Sequence, residues 1–289
     1  MMSQNTTYRK YLSFGRLLWQ MGVRDIQVRY KGSVLGVLWS LLTPLLTVAL
    51  YTFLFSVVFK TQWAEDMRPP MSRQMTQING AEESAHGQYA LILFAGLILH
   101  SFLAEIMTRA CSIVVVQSNL VKKVVFPLHV LPAVVVFTAL FQLLVSSGLL
   151  IFCVLLVQWV SGLKGLFAAW VSLPLLVVPL VCWGLGAAWL LGALGVFLRD
   201  LHQIMGWLVM ALMFSAPILY PLVNVSERYR AWLYLNPLTW LVETWRHVIY
   251  WGAWPIWTEW SVYALLGVIF AICSAWVFER MKKGFADVL

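Results

Sequence analysis

Long apolar runs separated by short polar stretches dominate this chain. They fall at Val34 to Phe59, Tyr89 to Val115, Leu128 to Gln158, Trp170 to Phe197, Leu201 to Leu222 and Thr258 to Phe278. About 20 apolar residues in a helix cross a hydrocarbon core. Lipid offers no partner for free backbone N–H and C=O groups, so each run predicts a helix. The expected fold is all-α, a polytopic membrane protein with six transmembrane helices. Pro44, Pro174, Pro179 and Pro217 lie within these runs and are expected to kink them. Gly184, Gly186, Gly192 and Gly195 in the fourth run suit close helix packing.

The polar segments between the runs add detail. Before the first run, Arg9, Ser13, Arg16, Gln20, Arg24, Gln27 and Lys31 recur every three or four residues. At 100° per residue they share a stripe about 80° wide. Residues 1–33 therefore predict an amphipathic interface helix, in which Asp25 can pair with Arg29 one turn on. Such a helix is either a membrane-surface anchor or a docking face for a partner. A polar stripe along its whole length exceeds what anchoring needs and favours docking. Residues 34–289 make up the membrane domain, with outer loops at 60–88 and 223–257. In the second loop, Asn236-Pro237 reads as an N-cap followed by proline in the first helical turn, starting a helix through about Trp251. Its sixteen residues reach about 24 Å, too short to cross, so a short re-entrant helix is expected before the last span. Between spans two and three, Asn119 caps a short helix that carries Lys122 and Lys123 and ends before Pro127.

Composition agrees with this pattern. Of 289 residues, 61% are hydrophobic and 11% charged, against roughly 25% charged in a soluble domain. With both termini inside, twelve Lys and Arg fall in the cytoplasmic segments and seven outside, where seven acids balance them. The formal charge of +8 therefore faces the cytoplasm and an anionic leaflet, which argues against a nucleic-acid partner. The first 33 residues hold no continuous hydrophobic stretch, so no cleavable signal peptide is expected ahead of the first run. Cys111, Cys153, Cys182 and Cys273 sit singly in apolar runs and read as small core residues, with no metal site.

Catalytic constellations are missing: the sequence has no G-x-x-x-x-G-K-[ST] loop, no H-E-x-x-H and no G-x-S-x-G. Glu105 and Arg109, at i and i+4 in the second span, form an intramembrane ion pair that reads as structural before it reads as a transport element. Tyr51, Phe55 and Phe59 make one aromatic face. Helix or lipid packing accounts for such a face more often than a ligand surface. The alternative is a sugar path, with Trp207, Phe214 and Tyr220 on the fifth span as further lining.

One stretch goes further. Arg24-Asp-Ile-Gln-Val-Arg-Tyr-Lys-Gly-Ser-Val-Leu-Gly-Val-Leu-Trp39, followed by Leu42-Thr-Pro-Leu45, resembles the opening signature of ABC-2 type permeases that export O-antigen and related cell-surface polysaccharides. Phe197-Leu-Arg-Asp200, Ser215-Ala-Pro-Ile-Leu-Tyr-Pro221, Asn236-Pro237, Phe278-Glu-Arg280 and Phe285-Ala-Asp287 are similar to the family too. The resemblance implies a homodimer in the bacterial inner membrane, with both termini cytoplasmic. It also implies two copies of a separate ATPase subunit, which binds the ATP and Mg; this chain itself holds no cofactor. The implied cargo is an undecaprenyl-diphosphate-linked glycan, passing between the first and fifth spans of both subunits. Arg16, Gln20, Asn119, Lys122 and Lys123 become candidate ATPase contacts, and Arg24, Arg29 and Lys31 candidate partners of the lipid phosphate. Teichoic-acid or capsule export, export of a small amphiphile, and a membrane-embedded lipid or glycan enzyme are the competing readings.

Overall fold

A computed structural model of the chain describes residues 2–58, 82–123, 126–161 and 167–289, and among these the secondary structure is helical, without strands. Helix α1 spans Met2–Tyr30 and α2 Trp39–Thr52, the latter extended by a π turn over Phe53–Val58. Then come α3 (Glu82–Val116), the short α4 (Ser118–Lys123), α5 (Val130–Ser161), α6 (Leu173–Phe197) and α7 (Leu201–Ser215). Helices α8 (Glu227–Leu233) and α9 (Pro237–Arg246) precede α10 (Trp257–Met281).

Among the described residues, four segments are long and apolar enough to cross a membrane: Ala90–Val116, Val130–Trp159, Ala168–Phe197 and Trp257–Val288. Gly36–Thr52 and Leu201–Ser215, which correspond to the first and fifth expected spans, are apolar but shorter. The fifth run stops being helical at Ser215, seven residues before its expected end at Leu222, and Pro217 stands beyond the helix. Pro174 lies in the first turn of α6, where a missing N–H leaves no hydrogen bond unmade. Neither proline kinks a helix, contrary to expectation; Pro44 and Pro179 do lie inside α2 and α6.

Helix α3 is the centre of the bundle. Every residue from Ala90 to His100 is buried, and α2, α5, α6, α7 and α9 all pack against it. Apolar residues all round a helix require cover on every side. The tightest approach is between α3 and α6, where a Cβ on Gly195 would stand 1.8 Å from the Cys111 carbonyl oxygen. Gly184, Gly186 and Gly192 also face side chains at or inside contact distance, as their spacing predicts. A smaller core joins Val114, Leu131, Val196, Phe278 and Phe285 near the end of the bundle that carries α1 and α4.

Two residues hold the break after α7. Asn236 caps α9 through its Oδ1, which accepts from the Leu238 amide at 2.9 Å, as the sequence predicts. Its Nδ2 also donates to the Leu212 carbonyl at 3.0 Å and to Ser215 Oγ at 2.9 Å, so one side chain caps both helices. Arg246, counted from sequence as an outer-face charge, is instead 1% exposed. Its guanidinium donates to the carbonyls of Pro217 and Ile218 at 2.6 Å each and to that of Ile92 at 3.2 Å, with Glu243 at 3.3 Å. The broken backbone supplies the acceptors that a buried cation requires. Beyond Arg246 a π turn, His247–Trp251, completes the segment expected to reach Trp251.

Four substitutions test this packing and capping by thermal unfolding in detergent. Gly195→Ala sets a methyl against a backbone carbonyl that cannot rotate away and lowers stability by about 1–3 kcal/mol. Gly148→Ala, with nothing within 4 Å, leaves it unchanged or raises it slightly. Asn236→Ala costs about 1–2 kcal/mol, and Asn236→Asp, which keeps the acceptor but loses the amide donor, falls between.

Candidate functional site

The polar stripe of α1 and its apolar side meet different surroundings. Arg16, Gln20, Arg24, Gln27 and Lys31 are all exposed, whereas Leu17, Leu18, Met21 and Ile26 are half-buried. The apolar side lies along the first half of α5, in the same direction. Phe14 stacks on His129 at 5.3 Å, Trp19 meets Phe137 edge-on at 5.6 Å, and Tyr30 donates to Gln142 Oε1 at 3.4 Å. With much of the apolar side covered by protein, the stripe is left facing outward. Gly32 at φ +86° and Gly36 at φ +52° then turn the chain into α2, a conformation that side chains with a Cβ resist.

Four charges clamp α1 to α3. Arg29 of α1 pairs with Glu105 of α3, and Arg109 of α3 donates to Asp25 of α1 at 2.6 Å. Arg109 also reaches Glu105 at 3.0 Å and Thr138 Oγ1 of α5 at 2.9 Å. The expected Glu105–Arg109 pair is present but is one side of a larger square. The expected pairing of Asp25 with Arg29 is replaced by pairing across the two helices. Burial lowers the tendency of Arg29 to hold its proton, and the hydrogen bond and charge of Glu105 more than offset this, so its pKa is raised. The four side chains are 18 to 30% exposed, intermediate between surface and core.

Two clefts flank the square. One, of about 570 Å³, is bounded by Asp25, Val28, Arg29, Glu105, Thr108 and Arg109. The other, of about 330 Å³, opens between α1, α2, α3 and α5 and mixes aromatic and aliphatic walls with hydroxyl and amide groups. Arg29 is common to both.

The remaining residues singled out from sequence are spread over the molecule. Arg24 is exposed on α1 and Lys31 in the turn just after it, while Arg29, grouped with them, is engaged by Glu105. Asn119 is exposed on α4, which packs on the final turn Phe285–Val288. Lys122 and Lys123 complete α4, but their side chains lie outside the described residues. Tyr51 is half-buried against the main core. Phe55 belongs to the π turn, with its side chain outside the described residues, and Phe59 lies outside them altogether. Trp207 and Phe214 point outward from α7 at 76% and 55% exposure, and Tyr220 donates to the Phe214 carbonyl at 2.9 Å.

Sequence reasoning missed Thr138, Gln142 and the burial of Arg246. An acid and a base one turn apart, Glu243 and Arg246, in a helix too short to cross is the signal that points to Arg246. Its carbonyl partners come from a backbone break at Pro217 and Ile218, 29 and 28 residues away, and from Ile92, 154 residues away, and leave no local trace.

Arg109 is the member of the square with most partners. Arg109→Gln leaves two acids to share Arg29 and is expected to lower thermal stability by about 1–2 kcal/mol, between the values for surface and buried pairs. Arg24→Gln, measured in the same way, changes it by less than about 0.5 kcal/mol.

Comparison with known proteins places this geometry. O-antigen export system permease proteins RfbA from Klebsiella pneumoniae are 25% identical over 270 residues, covering 92% of each chain. One of the same name from Myxococcus xanthus is 26% identical over 284 residues, covering 96% of this chain and 97% of the relative. The family described as ABC-2 type transporter matches residues 16–250. A multi-pass helical chain that matches over more than three-quarters of its length belongs to the ABC-2 type transporter family.

Proposed function

We propose that this chain is the permease subunit of an ABC exporter that carries a lipid-linked polysaccharide of O-antigen type across the bacterial inner membrane. The observation that carries this reading is the similarity, over 92% or more of both chains, to permeases named for O-antigen export. In this reading α2 with its π turn and α7 with the stretch after it bring the spans to six. The excess of basic residues sets both termini in the cytoplasm.

The drive comes from elsewhere. Two copies of an ATPase subunit bind ATP and Mg and contact the outward stripe of α1 at Arg16 and Gln20, and α4 at Asn119, Lys122 and Lys123. Covering of the apolar side of α1 by α5 supports docking over anchoring. The exposed apolar residues of α2 and α7 suit a homodimer, with Tyr51, Phe55, Phe59, Trp207, Phe214 and Tyr220 along the glycan path between subunits. Aromatic faces hold sugar C–H groups while leaving hydroxyls free. Arg24, exposed on α1, and Lys31, exposed just after it, attract the undecaprenyl diphosphate.

Reconstitution tests this reading. Proteoliposomes that hold the chain and its ATPase are expected to move a lipid-linked glycan in the presence of ATP, and those with the chain alone are not. Transport by the chain alone overturns the reading. Tyr51→Leu with Trp207→Leu is expected to slow glycan export about tenfold, the loss of one or two aromatic contacts. Unchanged export with aliphatic replacements points to a small amphiphile as cargo.

A further inference from the structure

Arg29 stands where two environments meet. On one side its guanidinium is held by Glu105 in the charge square; on the other it lines the cleft between α1, α2, α3 and α5. Of its five N–H donors, those on one terminal nitrogen serve Glu105. The cleft adds the hydroxyls of Thr43 and Ser101 to this cation, and the walls opposite are Pro44, Phe94 and Leu97. A cation and hydroxyl donors beside an apolar wall fit an amphiphile whose head carries several negative oxygens.

We propose that this junction is a phosphate-responsive switch, in which the phosphate of a lipid headgroup entering the cleft takes Arg29 from Glu105 and thereby removes one of the two ion pairs that hold α1 to α3. For cargo as the source of that phosphate, the inference rests on the export reading above.

The arrangement of charges makes the exchange inexpensive. Glu105 keeps Arg109, at 3.0 Å on its own helix, after Arg29 leaves. Asp25 keeps Arg109, at 2.6 Å, while Arg29 holds the phosphate. Each acid therefore has a cation in either state, and the penalty for a stranded charge, which normally fixes partly buried ion pairs, is absent. A phosphate offers more charge and more acceptor oxygens than one carboxylate and matches the guanidinium fork in two-point contact. Because α1 also presents the exposed stripe, occupancy of the cleft is transmitted to the face on which a partner docks.

The test uses the full chain in dodecyl maltoside micelles, which carry no phosphate, alone, with phosphatidylglycerol, or with a long-chain polyprenyl diphosphate. Amide hydrogen exchange over residues 23–30 is expected to rise about tenfold with a phosphate-bearing ligand. A response to phosphatidylglycerol makes the bulk headgroup the ligand, and a response to polyprenyl diphosphate alone makes it the cargo; both support the switch. The substitutions carry opposite signs. Arg29→Gln loses binding of polyprenyl diphosphate, whereas Glu105→Gln, by removing the competitor, binds it about tenfold more tightly. Weaker or unchanged binding by Glu105→Gln, or α1 exchange that no lipid moves, overturns the proposal. If glycan transport fails in proteoliposomes while the exchange response persists, cargo is removed as the source and the switch remains.

Discussion

The interaction on which the rest of the described architecture turns is the meeting of two helices that each carry an acid and a base one turn apart. Asp25 and Arg29 on α1 face Glu105 and Arg109 on α3, and the four pair crosswise as well as along α3. The group is neutral as a whole, which lets it sit partly buried without a large desolvation cost. It also fixes register, since sliding α1 by one residue along α3 would rotate both of its charges away from their partners. The contacts of Phe14, Trp19 and Tyr30 with α5 then follow from that register.

A second constraint acts at the other end of the bundle. A helix that breaks within a membrane must find partners for the carbonyls it frees. Arg246 and Asn236 supply them, the first with a buried guanidinium and the second by capping two helix ends at once. The buried sequence around them, with Leu238, Val242, Trp245 and Ile249 all inaccessible, shows that this segment is surrounded by protein.

Much of this was legible in the sequence because it depends on local periodicity. The apolar runs, the stripe of α1, the Asn236-Pro237 start and the glycine spacing of α6 each follow from a repeat of three or four residues. What the sequence did not reveal depends on contacts between distant segments. Asp25 has an acceptable partner in Arg29 four residues on, and nothing local indicates that Arg109, 84 positions away, takes its place. The end of α7 at Ser215 was hidden for a related reason. Apolar composition continues to Leu222, and Pro217, which could kink a helix or end it, stands beyond the end of this one, where Arg246 takes the carbonyls of Pro217 and Ile218. The aromatic candidates Tyr51, Trp207 and Phe214 share residue type, but in the single subunit they occupy different settings, one against the core and two facing outward.

The contact of Gly195 with the Cys111 carbonyl has a consequence for movement. At that point α3 and α6 touch backbone to backbone, with no side chain between to change rotamer, so they cannot slide past one another without losing the contact. With α10 seated on α6, these three helices form the stiffest part of the fold. Helix α1, by contrast, is joined to α3 through side-chain charges, which can part and re-form without any change in backbone packing.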